Sequence, residues 1–153
     1  MQSRRAFLVT GLAGASVALA GCNESSGGNG GNGGSSWETV ADDTRQVPED
    51  NYYAKAFELN RNATVQVDAT VRQGPAIDIV TMPRSEFQEF EAGNRFQYGP
   101  SLSMLDSTGG QVSDSLESGQ YVVLFDNTNR LEASPPTNLD DDIATVEFTI
   151  KAQ

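Results

Sequence analysis

The chain has 153 residues, with 10 basic and 21 acidic side chains and a net charge of −11. A field of that sign repels phosphates, which excludes nucleic acid and anionic lipid headgroups as docking partners. With no histidine and one cysteine, histidine acid–base chemistry, histidine metal sites and intrachain disulfides are excluded as well, and no cofactor is expected.

The first element is an expected export signal over residues 1–21. Ser3-Arg4-Arg5-Ala6-Phe7-Leu8 sets an arginine pair before a run, Ala6 to Ala20, that is apolar apart from Thr10, Gly11, Gly14 and Ser16. A spanning helix needs about 20 strongly apolar residues, and this shorter, milder run suits the core of a signal segment instead. The pair resembles the twin-arginine export signal, although no basic residue follows Leu8. Leu19-Ala20-Gly21-Cys22 resembles a lipobox, whose small residues admit a peptidase in extended form and whose cysteine takes a lipid. The resemblance implies cleavage before Cys22, lipid attachment there, and a location on the outer face of the cytoplasmic membrane.

Residues 22–36 form an expected flexible linker. Asn23 to Ser36 (NESSGGNGGNGGSS) holds no side chain that can join a core, and its glycines raise the entropic cost of ordering it. Fourteen such residues span about 20 Å, enough to lift a domain off a membrane without fixing its orientation. Arg4 and Arg5 are the only basic residues in the leader, so the mature chain would carry eight basic residues against 21 acidic ones. Lys55 and Lys151 are its only lysines. Acid excess with little lysine resembles the surfaces of proteins from halophilic archaea, where molar salt shortens the Debye length to about 3 Å and screens self-repulsion.

Residues 37–153 form the expected domain, long enough for one core of ordinary size. Trp37 to Asn51 is polar, and suits either an edge strand packing Trp37 and Val40 or a loop ended by Pro48. Strands follow at Tyr52 to Leu59, Ala63 to Val71 and Ala76 to Met82. In the second of these, Val65, Val67, Ala69 and Val71 alternate with Thr64, Gln66, Asp68 and Thr70, the period of a half-buried strand. Ser85-Glu86-Phe87-Gln88 predicts a capping box, with Ser85 as N-cap, opening a short helix over 85–92 that Gly93 stops. Leu102 to Leu105 and Gln111 to Leu116 are weaker strands. Gly119 to Asp126 (GQYVVLFD) is apolar on both faces, as in a central strand covered on both sides. A polar loop to Asp142 precedes the alternating strand Ala144 to Ala152. Seven or eight short strands and one helix predict an all-β antiparallel β-sandwich.

Three pieces carry a further resemblance. They are Ile77-Asp78-Ile79-Val80 with the helix after it, Ser118-Gly119-Gln120-Tyr121-Val122-Val123-Leu124-Phe125-Asp126-Asn127-Thr128, and the closing strand. Together they resemble small archaeal surface β-sandwiches of the GOLD (emp24-like) and pre-peptidase C-terminal type. That resemblance implies a binding or accessory module and no catalytic residue. Asp126-Asn127-Thr128 is expected to be turn chemistry.

Candidate sites are few. Asp140, Asp141 and Asp142, with Asp126 or Asn138, offer oxygen ligands to calcium, but they lack the alternation, glycine and distal glutamate of an EF-hand, and a solvated loop explains them. Glu86, Glu89 and Glu91 lie on one short helix, where the sequence gives no sign of the cleft that paired glycosidase carboxylates need. Serine has no histidine or Ser-x-x-Lys partner, so no enzyme is expected. Asn62-Ala63-Thr64 is an N-glycosylation sequon on a turn, and Asn23-Glu24-Ser25 is another beside Cys22. Trp37, Tyr52, Tyr53, Phe96 and Tyr98 would serve as core or rim residues, or as a platform for glycans or peptides. The expected role is a non-catalytic binding module of the cell envelope, with envelope proteins or glycans as partners. The alternatives are a structural envelope glycoprotein and a small hydrolase.

Overall fold

The computed structural model describes residues 36–136, 138 and 140–153. Arg4, Arg5, Cys22 and the linker up to residue 35 lie outside the described residues. Eight strands and one helix follow one another as β1 (Glu38–Val47), β2 (Asn51–Leu59), β3 (Ala63–Gln73), β4 (Ile77–Pro83), α1 (Arg84–Glu91), β5 (Gly99–Ser107), β6 (Gly109–Leu116), β7 (Gly119–Asn127) and β8 (Ala144–Ala152). They form two four-stranded sheets, a front sheet ordered β1-β8-β3-β6 and a back sheet ordered β2-β7-β4-β5. Every pairing is antiparallel. The architecture is the expected sandwich.

Alternation decides the front sheet. Val65, Val67 and Ala69 of β3 and Val146, Phe148 and Ile150 of β8 are buried. The residues between them, such as Asp68 and Glu147, face solvent. The core lies between the sheets, where Phe125 of β7 meets Phe148 of β8 with ring centroids 4.6 Å apart. Both belong to a cluster that also takes in Ile77, Ile79 and Val123, with Tyr53 packed against it.

The back sheet is covered twice. In β7, Val122 to Asn127 are all buried, as the continuous apolar run predicts. Val123 and Phe125 join the inter-sheet core, while Leu124 joins Val80, Met82 and Phe90 in a second cluster on the outer side. Helix α1 supplies that outer layer through Phe90, fully buried, with Phe87 and Phe96 packed beside it.

The capping box is not formed. The helix begins at Arg84 with Pro83 as N-cap, and no side chain caps it. Pro83 (φ −57°, ψ 149°) carries β4 straight into the helix, so Ser85 sits inside the first turn. The C-terminus is as expected: the Gly93 N–H donates to the Phe90 carbonyl and the Asn94 N–H to that of Glu89, the two bonds of a Schellman motif. Gly93 takes φ +76°. Of the two alternatives for Trp37 to Asn51, the edge strand forms; Trp37 is 40% exposed, while Val40 packs against the core beside the buried Ala41 and Val47. The weak strands are longer than their apolar residues indicate, because β5 and β6 meet at a corner, Ser107-Thr108-Gly109, that passes the chain from one sheet to the other. At Gly109 (φ +129°) a Cβ would lie 2.3 Å from the Ala69 carbonyl oxygen, so only glycine fits there.

Candidate functional site

Two places in the domain depart from plain packing. The first lies on the outer side of the back sheet. Asp78 of β4 stands opposite Asp126 of β7, and both are fully buried. The Asp78 carboxylate accepts the Asp106 N–H on one oxygen and the Ala133 N–H on the other, each at 2.8 Å. It therefore ties the end of β5 and the 128–133 loop to the middle of the sheet. Asp126 Oδ1 accepts the Thr128 N–H at 3.2 Å, while Oδ2 has no partner. Burial pushes the Asp126 carboxyl above the usual carboxylate range; the hydrogen bonds to Thr128 pull it down, the Asp78 charge pushes it further up, and Arg130 opposes that. The expected turn chemistry at Asp126 and Thr128 is present, with the Arg130 N–H on Thr128 Oγ1, but it is buried. Asn127 reaches further: its Nδ2 donates to the carbonyls of Val47 and Asp142, fastening β1 and the long loop to β7.

Around these acids the aromatic side chains form one continuous outer layer. Tyr52 meets Phe90 edge-on at 5.1 Å, Phe90 meets Phe96 at 5.2 Å, and Phe96 meets Tyr98 at 6.3 Å. The Arg130 guanidinium lies 3.8 Å from the Phe90 ring centroid and closes the layer over. Tyr52 is held by its hydroxyl on Glu91. Most of the platform aromatics are thus packing residues; Tyr53 lies in the inter-sheet core.

The second place is at the far end of that aromatic layer. A cleft of about 400 Å³ opens where the end of β4, the start of β5 and the end of β6 come together. That volume falls in the range of small-ligand pockets, about 300–1,000 Å³. Its floor is apolar, made by Met82, Leu102 and Leu116, and Tyr98 and Tyr121 line it from two sides. Tyr121 is fixed by stacking on Phe57 at 5.7 Å and by donating its hydroxyl to the Glu117 carbonyl. Thr81 also lines the cleft, is 2% exposed, and its Oγ1 has no hydrogen-bond partner. Among the described residues only Thr81, Asp126 and Asn127 have such an orphaned side-chain atom, and although Thr81 lines the cleft, its Oγ1 is sealed from solvent. A buried hydroxyl without a partner costs about 1–3 kcal/mol.

A larger hollow of about 540 Å³ lies between the start of β1 and the β2–β3 turn. Leu59 is its only buried lining residue, and no orphaned polar atom faces it.

The sequence-derived candidates are scattered. Asn62 is exposed on the β2–β3 turn and its Oδ1 accepts the Ser118 N–H at 3.0 Å. Asp140 and Asp141 are exposed and Asp142 is half-buried. Asn138 Nδ2 donates to the Asp142 carboxylate, and Glu49 accepts the Asp142 N–H. No group of three or more metal-ligating side chains occurs among the described residues. Glu89 is occupied by Asn94 and Glu91 by Tyr52, whereas Glu86 lines the cleft, as does Glu117. The expectation that the helix adjoins no cleft is therefore corrected. Glu86 is half-buried and Glu117 is exposed. Thr81 and Glu117 were not singled out by the sequence; the signal available for Thr81 was a hydroxyl within the apolar run AIDIVTM.

No protein-family model matches the chain, and no curated sequence does.

Proposed function

We propose that the protein is an exported, lipid-anchored β-sandwich that binds a small ligand at the cell surface and carries out no chemistry on it. The observation that carries the binding reading is the cleft of about 400 Å³ lined by Met82, Leu102, Leu116, Tyr98 and Tyr121. Supporting the location are the arginine pair Arg4-Arg5, the small residues before Cys22 and the core-less linker. The resemblance to GOLD-type and pre-peptidase C-terminal sandwiches fits the same non-catalytic role. The aspartates at 140–142 serve in this reading as a solvated, salt-adapted loop.

The anchor has a direct test. Mass spectrometry of the mature protein is expected to show an N-terminus at Cys22 carrying a lipid, and Cys22→Ala is expected to release the protein from membranes. An unmodified Cys22, or a retained Met1 leader, would overturn it.

A second reading, a structural envelope glycoprotein, is favoured by the exposed position of Asn62 on its turn. A glycan mass on the peptide holding Asn62, together with high abundance in the envelope, would support it.

A further inference from the structure

We infer that Asn62 is a conditional glycosylation site, open to a transferase before β8 docks and closed by its docking; this rests on the second reading above and adds when that site can be used.

Asn62-Ala63-Thr64 is an acceptor sequence for N-linked glycans, and the transfer makes two demands on it at once. Asn62 Nδ2 attacks the anomeric carbon of a saccharide carried on a lipid phosphate or diphosphate. A C–N bond forms and the C–O bond to the phosphate breaks. The lipid phosphate leaves with the electron pair, and Nδ2 gives one proton to a base of the transferase. The enzyme must hold the Thr64 hydroxyl in the same site. Both residues must therefore leave the protein surface together, and for that reason such sequences are read as surface loops.

In the folded domain only the asparagine meets that demand. Asn62 is exposed, although its Oδ1 accepts the Ser118 N–H at 3.0 Å and so ties the carboxamide to the β6–β7 turn. Ala63 opens β3 opposite Leu116 of β6, and Thr64 stands opposite Ser115. On its other side the Thr64 N–H donates to the Gln153 carbonyl, and the Gln153 N–H donates to the Thr64 carbonyl, both at 3.0 Å. Thr64 is half-buried and both of its backbone groups are used. It sits in a strand held between β6 and β8. Presenting its hydroxyl to an enzyme means peeling the end of β8 away from β3.

The lock lies far along the chain from the site it closes. Asn62 is made long before β8 and Gln153, so an unfolded chain offers the whole acceptor sequence. A chain exported already folded, the route that Arg4-Arg5 resembles, leaves Asn62 bare. A chain threaded across the membrane unfolded carries a glycan there. Occupancy of Asn62 thus records the state in which the domain crossed the membrane.

The test offers three acceptors in parallel to a purified oligosaccharyl transferase, with a synthetic lipid-diphosphate N-acetylglucosamine as donor. They are the folded full chain, the full chain carrying Phe148→Asp, and a free peptide of residues 58–72. Phe148 is buried in the core, so a carboxylate there keeps β8 from docking. Trypsin cuts after Arg61 and Arg72, so all three give the same fragment for mass measurement. The peptide and the Phe148→Asp chain are expected to be modified. The folded chain is expected to react at least about a hundredfold more slowly, because only the small fraction with β8 open can react. Equal rates for the folded and Phe148→Asp chains would overturn the conditional site and leave Asn62 an ordinary glycan site. A modified peptide beside an unmodified Phe148→Asp chain would overturn β8 as the lock. A failure of the peptide and the Phe148→Asp chain alike would overturn both this inference and the glycoprotein reading.

Discussion

The two sheets of this sandwich follow different rules. The front sheet puts one face into the core and the other into water, so its strands alternate and its outward side chains carry little structural weight. On that outward face Arg72 and Glu147 pair across β3 and β8 at 2.7 Å, both more than half or about half exposed. The two central strands of the back sheet, β4 and β7, are covered on both faces, and a polar group buried there must find its partner inside the protein. Asp78 finds two; Asp126 and Thr81 each keep one atom without a partner. The lesson is that a polar residue in the covered sheet is either a fastening or an expense, while the same residue in the wet sheet is neither.

Substitutions can break this contrast, and the largest effect is expected at Asp78. Asp78→Ala leaves the buried N–H of Ala133 and the part-buried N–H of Asp106 without their acceptor. It is expected to cost about 1–3 kcal/mol through Ala133 and less through Asp106, measured as a fall in the urea midpoint, with faster amide exchange in the 128–133 loop.

Asp126 should behave in the opposite sense. Its folded-state pKa is raised, first by burial, so the folded protein binds that proton more tightly than the unfolded chain. The sign follows: this group's contribution is fully present below the unfolded value, about 3.9, and is lost as pH rises through the folded value. Asp126→Asn cannot ionise, so its stability is expected to exceed that of the parent at neutral pH and to converge with it near about pH 4. Urea midpoints across that range check the prediction. A parent curve as flat as that of Asp126→Asn would show that the buried carboxylate carries no such linkage.

The smallest effect belongs to the wet sheet. Arg72 holds the Glu147 carboxyl below its usual range through a hydrogen bond and its charge, yet both groups are bathed in solvent, where such pairs contribute little. Glu147→Gln is expected to leave the unfolding midpoint unchanged within error, and a clear shift would mean that the outward face matters more than its exposure indicates.

These differences also explain what was legible in the sequence. Strict alternation made β3 and β8 readable, and the unbroken run in GQYVVLFD made the covered strand β7 readable, because burial on one face or two leaves different periods. The helix start was misplaced by its cap. Ser85 and Gln88 have the spacing of a capping box, but Pro83 hands the strand directly to the helix and no serine cap forms. The cleft was not readable. Its side chains come from β4, α1, the 97–99 segment, β5, β6 and β7, and only the packing of the two sheets brings them to one opening. Thr81 and Asp78 were visible as polar intrusions in AIDIVTM, but their roles depend on which face each one takes. Thr81 turns inward to the cleft and Asp78 outward under the loop, and a one-residue shift of register would exchange them.

The order of the strands has a consequence for when the domain can exist at all. The first strand, β1, pairs only with the last, β8, and β8 sits between β1 and β3 in the middle of its sheet. The second strand, β2, likewise waits for β7. Almost every sheet contact therefore joins distant parts of the chain, a topology whose loop-closure entropy slows folding. The front sheet cannot close until β8 is available to pair with both β1 and β3. Losing β8 would remove a keystone and leave β1 with nothing to hold.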